Sequence, residues 1–543
     1  MELNLRFGEG VEKYTRVNQV LDLSYDALPY YLKPCFLYLA CFPEDHKIET
    51  ERLYLMWMAE GFISNQDKGP NETLRDVAQR YLTELAMRCM VQLHEAEIYS
   101  PHDKFDSCGL HDLLHDLCSA KAEEEKFLKR IDASKYLTDI LSPTETSLVV
   151  PPSVGNSISR LAISCDFKNV SSIDGLEEVE GLRSFMLLQK SFGTPYIGCK
   201  ENTIDFKMSQ YLRIFVADCS VFEGGTLPSK LGELIHLRYL SLRGSNVSEL
   251  PKSVCSLPYL QTLDLQVSWK IVIRLPNMIW KMKRLKNLFL YPNIEVIGGD
   301  KLRLDGLLQL ETLKYITSET CCIADIPKLI SLQSLHVRVC DEDSMSFMLS
   351  NKNSQLRETH LWVESCDLSS EKDKVFLNDG LMSPSLVTLE MERCNMSGSF
   401  PYYKQGMCQN LVSLVLLHCK VKVDMEEFGK YPMLQVLSLE KIKITKTTTF
   451  LSNSFPQLKH LGLCGLHGLK KWEVEDRAMQ KLTFLGISGC PNLEKVPDGL
   501  KSISTLRKMD ITNMPREFME RVNEEDYGPY VKKNVCMEDI YEP

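Results

Sequence analysis

The apolar residues of this chain follow one short pattern, L-x-x-L-x-L, over most of its length. The pattern is clearest at Leu237, Leu260, Leu411, Leu434 and Leu458. The first positions of the fifteen units that can be aligned are residues 158, 182, 212, 237, 260, 285, 310, 332, 356, 386, 411, 434, 458, 482 and 506. Apolar and polar positions alternate within each unit, which predicts a short β-strand with one buried and one outward face.

These units return every 22 to 30 residues, and no single unit can bury its own apolar face, so neighbouring units must stack. The period is typical of a leucine-rich-repeat solenoid, or horseshoe, which we place at residues 157–520. Several units carry a cysteine eight positions after the first leucine, namely Cys340, Cys394, Cys419 and Cys490. At this position we expect a buried reduced thiol rather than a redox or metal-binding group.

The outward positions of the middle repeats predict a surface that binds a protein partner. Counted two, four and six residues after the first leucine, they are Asn287, Phe289, Tyr291, Thr312, Lys314, Ile316, Ser334, His336, Arg338, Glu358, His360 and Trp362. We select Phe289, Tyr291, His336, Arg338, His360 and Trp362, because exposed aromatic and arginine side chains are good anchors for a partner. The alternative is a surface that only closes on the preceding module in a resting state.

Residues 21–130 lack the repeat and predict several helices with a small wing. Thr73 can cap an amphipathic helix whose apolar residues recur at helical spacing. A second helix follows Thr50 and ends near Gly61. We expect a strand from Val91 to Tyr99 and a wing tip over residues 101–107.

Charge and composition narrow the classes of function. The chain has 63 Lys and Arg and 73 Asp and Glu, and residues 1–150 hold 16 and 26 of these, so the whole excess of negative charge lies there. An acidic module disfavours binding to a phosphate backbone, and we expect no nucleic-acid partner. No signal-peptide core or uninterrupted run of 18 apolar residues occurs in the sequence, so we expect a cytoplasmic protein, free or peripherally attached to a membrane.

Several motifs resemble those of a known family. Three segments resemble the winged-helix region of plant NLR disease resistance proteins, namely LSYDALP (23–29), LKPCFLYLACFPED (32–45) and LMWMAEGF (55–62). Their sequences are similar to those of the coiled-coil class of this family. CGLHD (108–112) is similar to the Met-His-Asp motif of that family, with Leu110 in place of methionine. The resemblance implies a plant immune receptor whose repeats recognise a pathogen effector or a guarded host protein, and which oligomerises when complete.

The same resemblance implies a nucleotide sensor at His111 and Asp112, where the family reads the phosphates of ADP. The alternative is that these two residues merely begin and cap a helix. The phosphate-binding motif G-x-x-x-x-G-K-[ST] does not occur in the sequence. We therefore expect no enzymatic activity and no cofactor for this chain alone, and ADP or ATP only with an upstream nucleotide-binding domain. On this interpretation the chain is truncated, and residues 1–20 are a remnant of that region or a linker.

Three other hypotheses compete with the receptor. Cys108, His111, His115 and Cys118 have the spacing of zinc ligands, but four ligands on one straight helix rarely close a tetrahedron, so we predict no metal. A repeat adaptor of a ubiquitin ligase would need an F-box-like bundle before the repeats. A DNA-binding winged helix would need a basic stripe.

The predicted fold is α/β, with a winged-helix domain at 21–130, a linker at 131–156, repeats at 157–520 and a tail at 521–543.

Overall fold

The computed structural model describes residues 19–70, 72–95, 105–132, 146–149, 158–165, 170–174, 181–189, 197–199, 210–350, 356–524 and 532–536. The chain forms two compact units. The N-terminal unit contains the described residues up to Leu310, and the C-terminal unit contains the described residues from Glu311 onward. The division at residue 310 lies inside the repeats, so the winged-helix module and the first repeats form one compact unit.

Among the described residues, the winged-helix module contributes five α-helices and a small sheet to the N-terminal unit. The helices are α1 (residues 19–26), α2 (Lys33–Tyr38), α3 (Thr50–Glu60), α4 (Leu74–Met87) and α5 (Asp112–Glu124). The sheet is antiparallel in the order β1 (Ile48–Glu49), β3 (Phe105–Gly109) and β2 (Gln92–Glu95).

Local sequence signals set the ends of these helices. The Thr73 hydroxyl accepts a hydrogen bond from the Asp76 amide, and the Asp76 carboxylate accepts one from the Thr73 amide, which closes a capping box at the start of α4. Helix α3 stops at Gly61, whose φ of 88° is easily adopted only by glycine. Both predicted helices are confirmed.

The wing differs from its predicted bounds. The strand expected from Val91 to Tyr99 is present as β2, and residues 96–104 lie outside the described residues. The expected wing tip at 101–107 is wrong for residues 105–107, because these already pair with β1 and β2 as part of β3. Polar residues at the start of a strand look like a loop in the sequence, because the sequence does not show which residues pair with neighbouring strands.

The repeats of the N-terminal unit form a parallel sheet of short strands. In spatial order these are β4 (Lys129–Asp132), β6 (Arg160–Cys165), β8 (Ser184–Gln189), β10 (Ile214–Ala217), β12 (Tyr239–Ser241), β13 (Thr262–Asp264) and β15 (Asn287–Phe289). Further parallel pairs follow the main strands, and their members are β5 (Thr146–Val149), β7 (Val170–Asp174), β9 (Ile197–Cys199), β11 (Ser220–Phe222), β14 (Ile273–Pro276) and β16 (Ile294–Ile297).

The C-terminal unit continues the same construction. Its main strands, in spatial order, are β17 (Thr312–Thr317), β18 (Ser334–Val339), β19 (Glu358–Glu364), β20 (Leu386–Glu392), β22 (Ser413–Leu417), β24 (Val436–Glu440), β27 (His460–Cys464), β29 (Phe484–Ser488), β30 (Lys508–Thr512) and β31 (Lys532–Cys536). The other elements are β21 (Asn395–Ser399), β23 (Lys420–Val423), β25 (Lys443–Ile444), β26 (Thr447–Phe450), β28 (Lys471–Val474), α6 (Glu342–Ser350), α7 (Glu371–Leu381), α8 (Met425–Phe428) and α9 (Arg516–Glu524).

The repeat sheet extends beyond the predicted ends of the repeats at 157 and 520. Strand β4 begins at Lys129 and pairs with β6, and β5, which pairs with β7 in a separate two-stranded sheet, lies wholly inside the expected linker 131–156. At the other end, β31 lies in the expected tail 521–543 and pairs with β30. These strands lack the full leucine pattern, which is why the sequence predicted a linker and a tail there.

Buried cysteines close the turns after several strands. Residues with positive φ, such as Arg393 and His418, end two strands of the C-terminal unit, and a cysteine follows each. The Cys394 thiol donates to the Val363 carbonyl of the preceding repeat at 3.4 Å. Cys394, Cys419 and Cys490 are buried free thiols, as predicted, whereas Cys340 is partly exposed.

One outward position, Ile316, was predicted wrongly. In β17 the register shifts between Leu313 and Ile316, because Tyr315 adopts a φ of 62° and forms a bulge. Ile316 was expected to face outward but is 1% exposed and belongs to the core, whereas Tyr315 is 44% exposed. A bulge adds one residue to the count, and every later position in the strand changes face.

This register predicts opposite effects for two neighbouring substitutions. Ile316→Ala should lower the free energy of unfolding by about 2–5 kcal/mol, because it removes a buried side chain and leaves a cavity. Tyr315→Ala should cost less than about 1 kcal/mol, since most exposed positions tolerate truncation. Urea denaturation followed by circular dichroism measures both. A larger loss of unfolding free energy for Tyr315→Ala than for Ile316→Ala would show instead that Ile316 faces outward, as the repeat pattern predicted.

Candidate functional site: the strand faces of the two units

The outward side chains of the repeat strands, here called the strand face, are covered in the N-terminal unit. Helix α3 lies against β10 and β12, and its buried residues Leu53, Met56 and Trp57 share one hydrophobic core with the strand face. The strand-face members of this core are Ala162, Met186, Leu188, Ile214, Val216, Tyr239 and Phe289. The winged-helix module therefore closes this part of the strand face by ordinary apolar burial.

Phe289 was predicted to bind a partner, and that prediction is wrong. Its side chain is only 8% exposed and packs in the core that the winged-helix module shares with the repeats. At this residue the structure favours the alternative, a surface that closes on the preceding module. Tyr291, two positions further on, is partly exposed. The signal that could have shown this is the apolar character of the outward residues Met186, Leu188, Ile214 and Val216.

A buried ion pair fixes the C-terminal end of α3. The Glu60 side chain has no exposed surface, and its two carboxylate oxygens accept hydrogen bonds from Arg160 of β6 at 3.0 Å each. The Ser184 hydroxyl donates to the same carboxylate. The Arg160 guanidinium lies 4.1 Å from the ring centroid of Phe127. A bidentate pair with additional donors is the geometry that allows a charge to be buried.

Two further arginines meet the end of the same helix. Arg213 donates to the Glu60 carbonyl at 2.8 Å, and Arg238 donates to the Ala59 carbonyl at 3.3 Å. The last carbonyls of a helix have no partner within it and carry partial negative charge. The repeats thus supply the cationic cap that the sequence of α3 lacks.

A second ionic cluster holds the N-terminal end of α3. Arg52 forms a salt bridge with Asp218, whose carboxylate also accepts a hydrogen bond from Ser241 at 2.7 Å. Asp264 is buried nearby, and burial, followed by the charge of Asp218, raises its pKa to about 6. At the rim, Arg243 pairs with Glu49 at 2.7 Å. Two buried carboxylates therefore compete for one guanidinium.

His111 and Asp112, the sensor implied by the family motif, stand at the start of α5. His111 is the N-cap residue, and its side chain makes no capping hydrogen bond. Both side chains are exposed. The buried histidine of this helix is His115, whose Nε2 lies 3.0 Å from the Phe42 carbonyl oxygen. The arrangement leaves His111 and Asp112 accessible, and their role in sensing stays a prediction.

The four residues with zinc-like spacing do not share one helix. Cys108 lies in β3, whereas His115 and Cys118 lie in α5. The Cys118 thiol donates to the Phe36 carbonyl at 3.1 Å, and His115 is bound to a carbonyl as well. In the part of the chain that the structure describes, there is no group of three His, Cys, Asp or Glu residues arranged to hold a metal ion.

In the C-terminal unit, the strand face brings two predicted residues into direct contact. The rings of His336 and His360 lie 3.8 Å apart, and Tyr315 meets His336 edge-on at 5.4 Å. His360 Nδ1 lies 3.1 Å from the Thr388 hydroxyl oxygen. Burial, and then the neighbouring His360, lowers the pKa of His336 to about 2, so His336 is neutral at physiological pH.

The other two predicted residues extend this cluster. The Arg338 guanidinium lies 4.7 Å from the ring centroid of Trp362, a cation–π contact. Arg338 also pairs with Glu364, whose other carboxylate oxygen accepts a hydrogen bond from Arg393 at 2.7 Å. Among the described residues the Trp362 indole N–H has no acceptor. His336, Arg338, His360 and Trp362 thus form one partly exposed patch on β18 and β19, here called the aromatic patch.

A winged-helix module bound to a leucine-rich-repeat array defines the class of this protein, and comparisons with known proteins give the family. A model of the leucine-rich repeat region matches residues 181–525, and a model of the disease resistance protein winged helix domain matches residues 41–118. The chain belongs to the disease resistance protein family.

Two curated relatives from Arabidopsis thaliana show the extent of the similarity. "Putative disease resistance protein At1g59780" is 34% identical over 515 residues, which is 94% of this chain and 52% of the relative. "Probable disease resistance RPP8-like protein 2" is 30% identical over 524 residues, 94% of this chain and 54% of the relative. The chain spans about half the length of these relatives. A solved LRR protein of Leptospira interrogans, LIC12759, aligns with 69% of this chain and 95% of its own at 15% identity and a TM-score of 0.43.

The buried carboxylate of Asp264 predicts a dependence of stability on pH. Its pKa of about 6 lies above the ordinary 3.8, so the folded state holds the proton more tightly than the unfolded state. This contribution to stability is complete below about pH 4 and is lost as the pH rises through about 6. Asp264→Asn should therefore stabilise the N-terminal unit by about 1–3 kcal/mol at neutral pH and flatten its pH profile.

Thermal unfolding between pH 4 and 8 tests this expectation, with Asp300→Asn as a control at an exposed carboxylate of the same unit. The control should leave the profile unchanged. A loss of stability at neutral pH in Asp264→Asn would contradict the interpretation. It would mean that the charges of both Asp218 and Asp264 stabilise the fold by offsetting the charge of Arg52.

Proposed function

We propose that this chain is the recognition part of a plant immune receptor, and that it binds a pathogen effector or a guarded host protein through the C-terminal unit. The relatives are named disease resistance proteins, and the chain spans about half of their length. Within such a receptor the winged-helix module restrains or relays the signal, and the complete receptor oligomerises. The activity of the complete receptor is thus part of the proposal.

The observation that carries this proposal is the contrast between the two strand faces. In the N-terminal unit the outward residues are buried in a shared core, and Phe289 is 8% exposed. In the C-terminal unit the aromatic patch remains partly exposed, and Arg338 and Trp362 form a cation–π pair within it. Tryptophan, arginine and histidine at a partly exposed site provide large contact area and directional donors for a protein ligand.

The alternative of a ubiquitin-ligase adaptor gains no support. Such an adaptor was expected to carry an F-box-like bundle before its repeats, and residues 41–118 match a winged-helix model instead. The proposed location is the cytoplasm, free or at a membrane surface. Among the described residues there is no helix both long enough and apolar enough to cross a bilayer.

We further propose that His111 and Asp112 act as a nucleotide sensor only beside an upstream nucleotide-binding domain. Both side chains are exposed at the start of α5, where an imidazole donor could contact a phosphate supplied by another domain. The chain alone is proposed to hold no cofactor and to catalyse no reaction, because its sequence has no phosphate-binding loop.

Substitution of Trp362 tests recognition. A panel of secreted pathogen effectors would be screened for direct binding to the purified chain, and each binder would be titrated by calorimetry. Trp362→Ala should weaken binding at least about tenfold, since a central aromatic anchor contributes more than about 1.4 kcal/mol. Tyr402→Ala, a substitution of a tyrosine that is 62% exposed elsewhere in the C-terminal unit, should leave the affinity unchanged.

The thermal midpoint of both variants would be measured in parallel. A folded Trp362→Ala variant that binds every effector with the affinity of the parent chain would contradict recognition through the aromatic patch.

A further inference from the structure

An exposed stack of side chains runs along one edge of the N-terminal unit. Tyr211, His236 and Tyr259 stack in sequence, with ring centroids 6.2 and 6.3 Å apart and planes inclined by 16° and 12°. The Arg284 guanidinium continues the stack, 4.7 Å from the centroid of Tyr259. Tyr211 is 54% exposed and Tyr259 is 40% exposed. Each of these residues immediately precedes the first leucine of its repeat, so the stack is built from one repeat position.

A column of arginines follows the first leucines of three consecutive repeats, two of which also carry a member of the stack. Arg183, Arg213 and Arg238 directly follow Leu182, Leu212 and Leu237. Arg183 is exposed, and the other two are partly exposed. Each of Arg213 and Arg238 donates one hydrogen bond to the end of α3, and a guanidinium has further donors available.

This column carries more positive charge than the nearby groups neutralise. The carboxylate that faces Arg213 is Glu60, and its two oxygens already accept hydrogen bonds from Arg160 and Ser184. Burial, and then the charges of Arg238 and Arg183, lower the pKa of Arg213 below its ordinary value. Like charges held together on a surface are stabilised when an anion binds between them.

We propose that this edge binds an acidic segment of a partner protein, with the arginines holding its carboxylates and the aromatic stack contacting its apolar side chains. Guanidinium groups match carboxylates in a bidentate geometry, and tyrosine and arginine are enriched at protein interfaces. Adjacent strands lie about 4.8 Å apart, so three arginines on consecutive strands span about 10 Å. Two carboxylates two or three residues apart in an extended segment reach across that distance.

The stacking geometry favours protein over nucleic acid. Proteins that bind single strands offer open ring faces on which bases stack. Here the inner faces of Tyr211, His236 and Tyr259 are turned towards each other, and Arg284 covers one face at the end of the stack. The rings therefore present mainly their edges, which suit side-chain contacts. This edge is separate from the aromatic patch, so the inference goes beyond the proposed function and does not depend on it.

Fluorescence anisotropy with a defined probe tests the proposal. The probe is a short fluorescein-labelled peptide in which glutamates alternate with leucine and glycine, titrated with the full chain at low and physiological ionic strength. The test variant Arg183→Glu with Arg284→Glu reverses two exposed charges that α3 does not use. The control Lys252→Glu with Lys270→Glu makes the same change in charge at exposed lysines of the same unit.

We expect the peptide to bind the parent chain and the control variant within about twofold of each other, and to bind the test variant at least about tenfold more weakly. A peptide with glutamine in place of glutamate should not bind. Circular dichroism must show equal folding of all three chains. Absence of binding, an equal loss in the control variant, or tighter binding of a single-stranded oligonucleotide than of the peptide at physiological ionic strength would overturn the proposal.

Discussion

The buried ion pair between Glu60 and Arg160 is the constraint on which the N-terminal unit depends. A carboxylate without exposed surface is tolerated only when its charge and lone pairs are matched, and Arg160 with Ser184 provides that match. Glu60 belongs to the winged-helix module, whereas Arg160 and Ser184 belong to the first repeats. Separation of the two parts would therefore expose an apolar core and leave two charges without partners, which is a physical reason for their forming one compact unit.

The repeats of the two units present different outward surfaces. In the N-terminal unit, outward residues such as Met186 and Val216 are apolar and pack in the core that the repeats share with the winged-helix module. In the C-terminal unit the same positions carry partly exposed side chains such as Trp362, which pair with each other. One repeat pattern thus supports two kinds of surface. The difference lies in the residues between the leucines, because the leucines themselves only stack the repeats.

Much of the fold follows from the sequence, because repeat period and helix capping are local signals. The leucine pattern located most main strands, and Thr73 and Gly61 marked helix ends that the structure has. Tertiary contacts could not be predicted from these local sequence signals. Phe289 looked like an exposed anchor because nothing in its own repeat shows that it packs in the core shared with the winged-helix module, and Ile316 was misplaced by a bulge at Tyr315. The pairing of Glu60 with Arg160 joins residues one hundred positions apart and leaves no pattern in either segment.

The central claim is that the buried charges of Glu60 and Arg160 must match each other for the winged-helix module to stay packed on the repeats. A double-mutant cycle with Glu60→Leu and Arg160→Met, followed by native-state hydrogen exchange of the α3 amides, tests it most directly. Each single substitution should lower the opening free energy of α3 by about 3–5 kcal/mol, and the double variant should recover most of this loss. The exposed pair of Glu84 and Arg88 in α4 is the control, with a coupling below about 1 kcal/mol. Single effects that add without recovery, or α3 exchange that does not change, would contradict the claim.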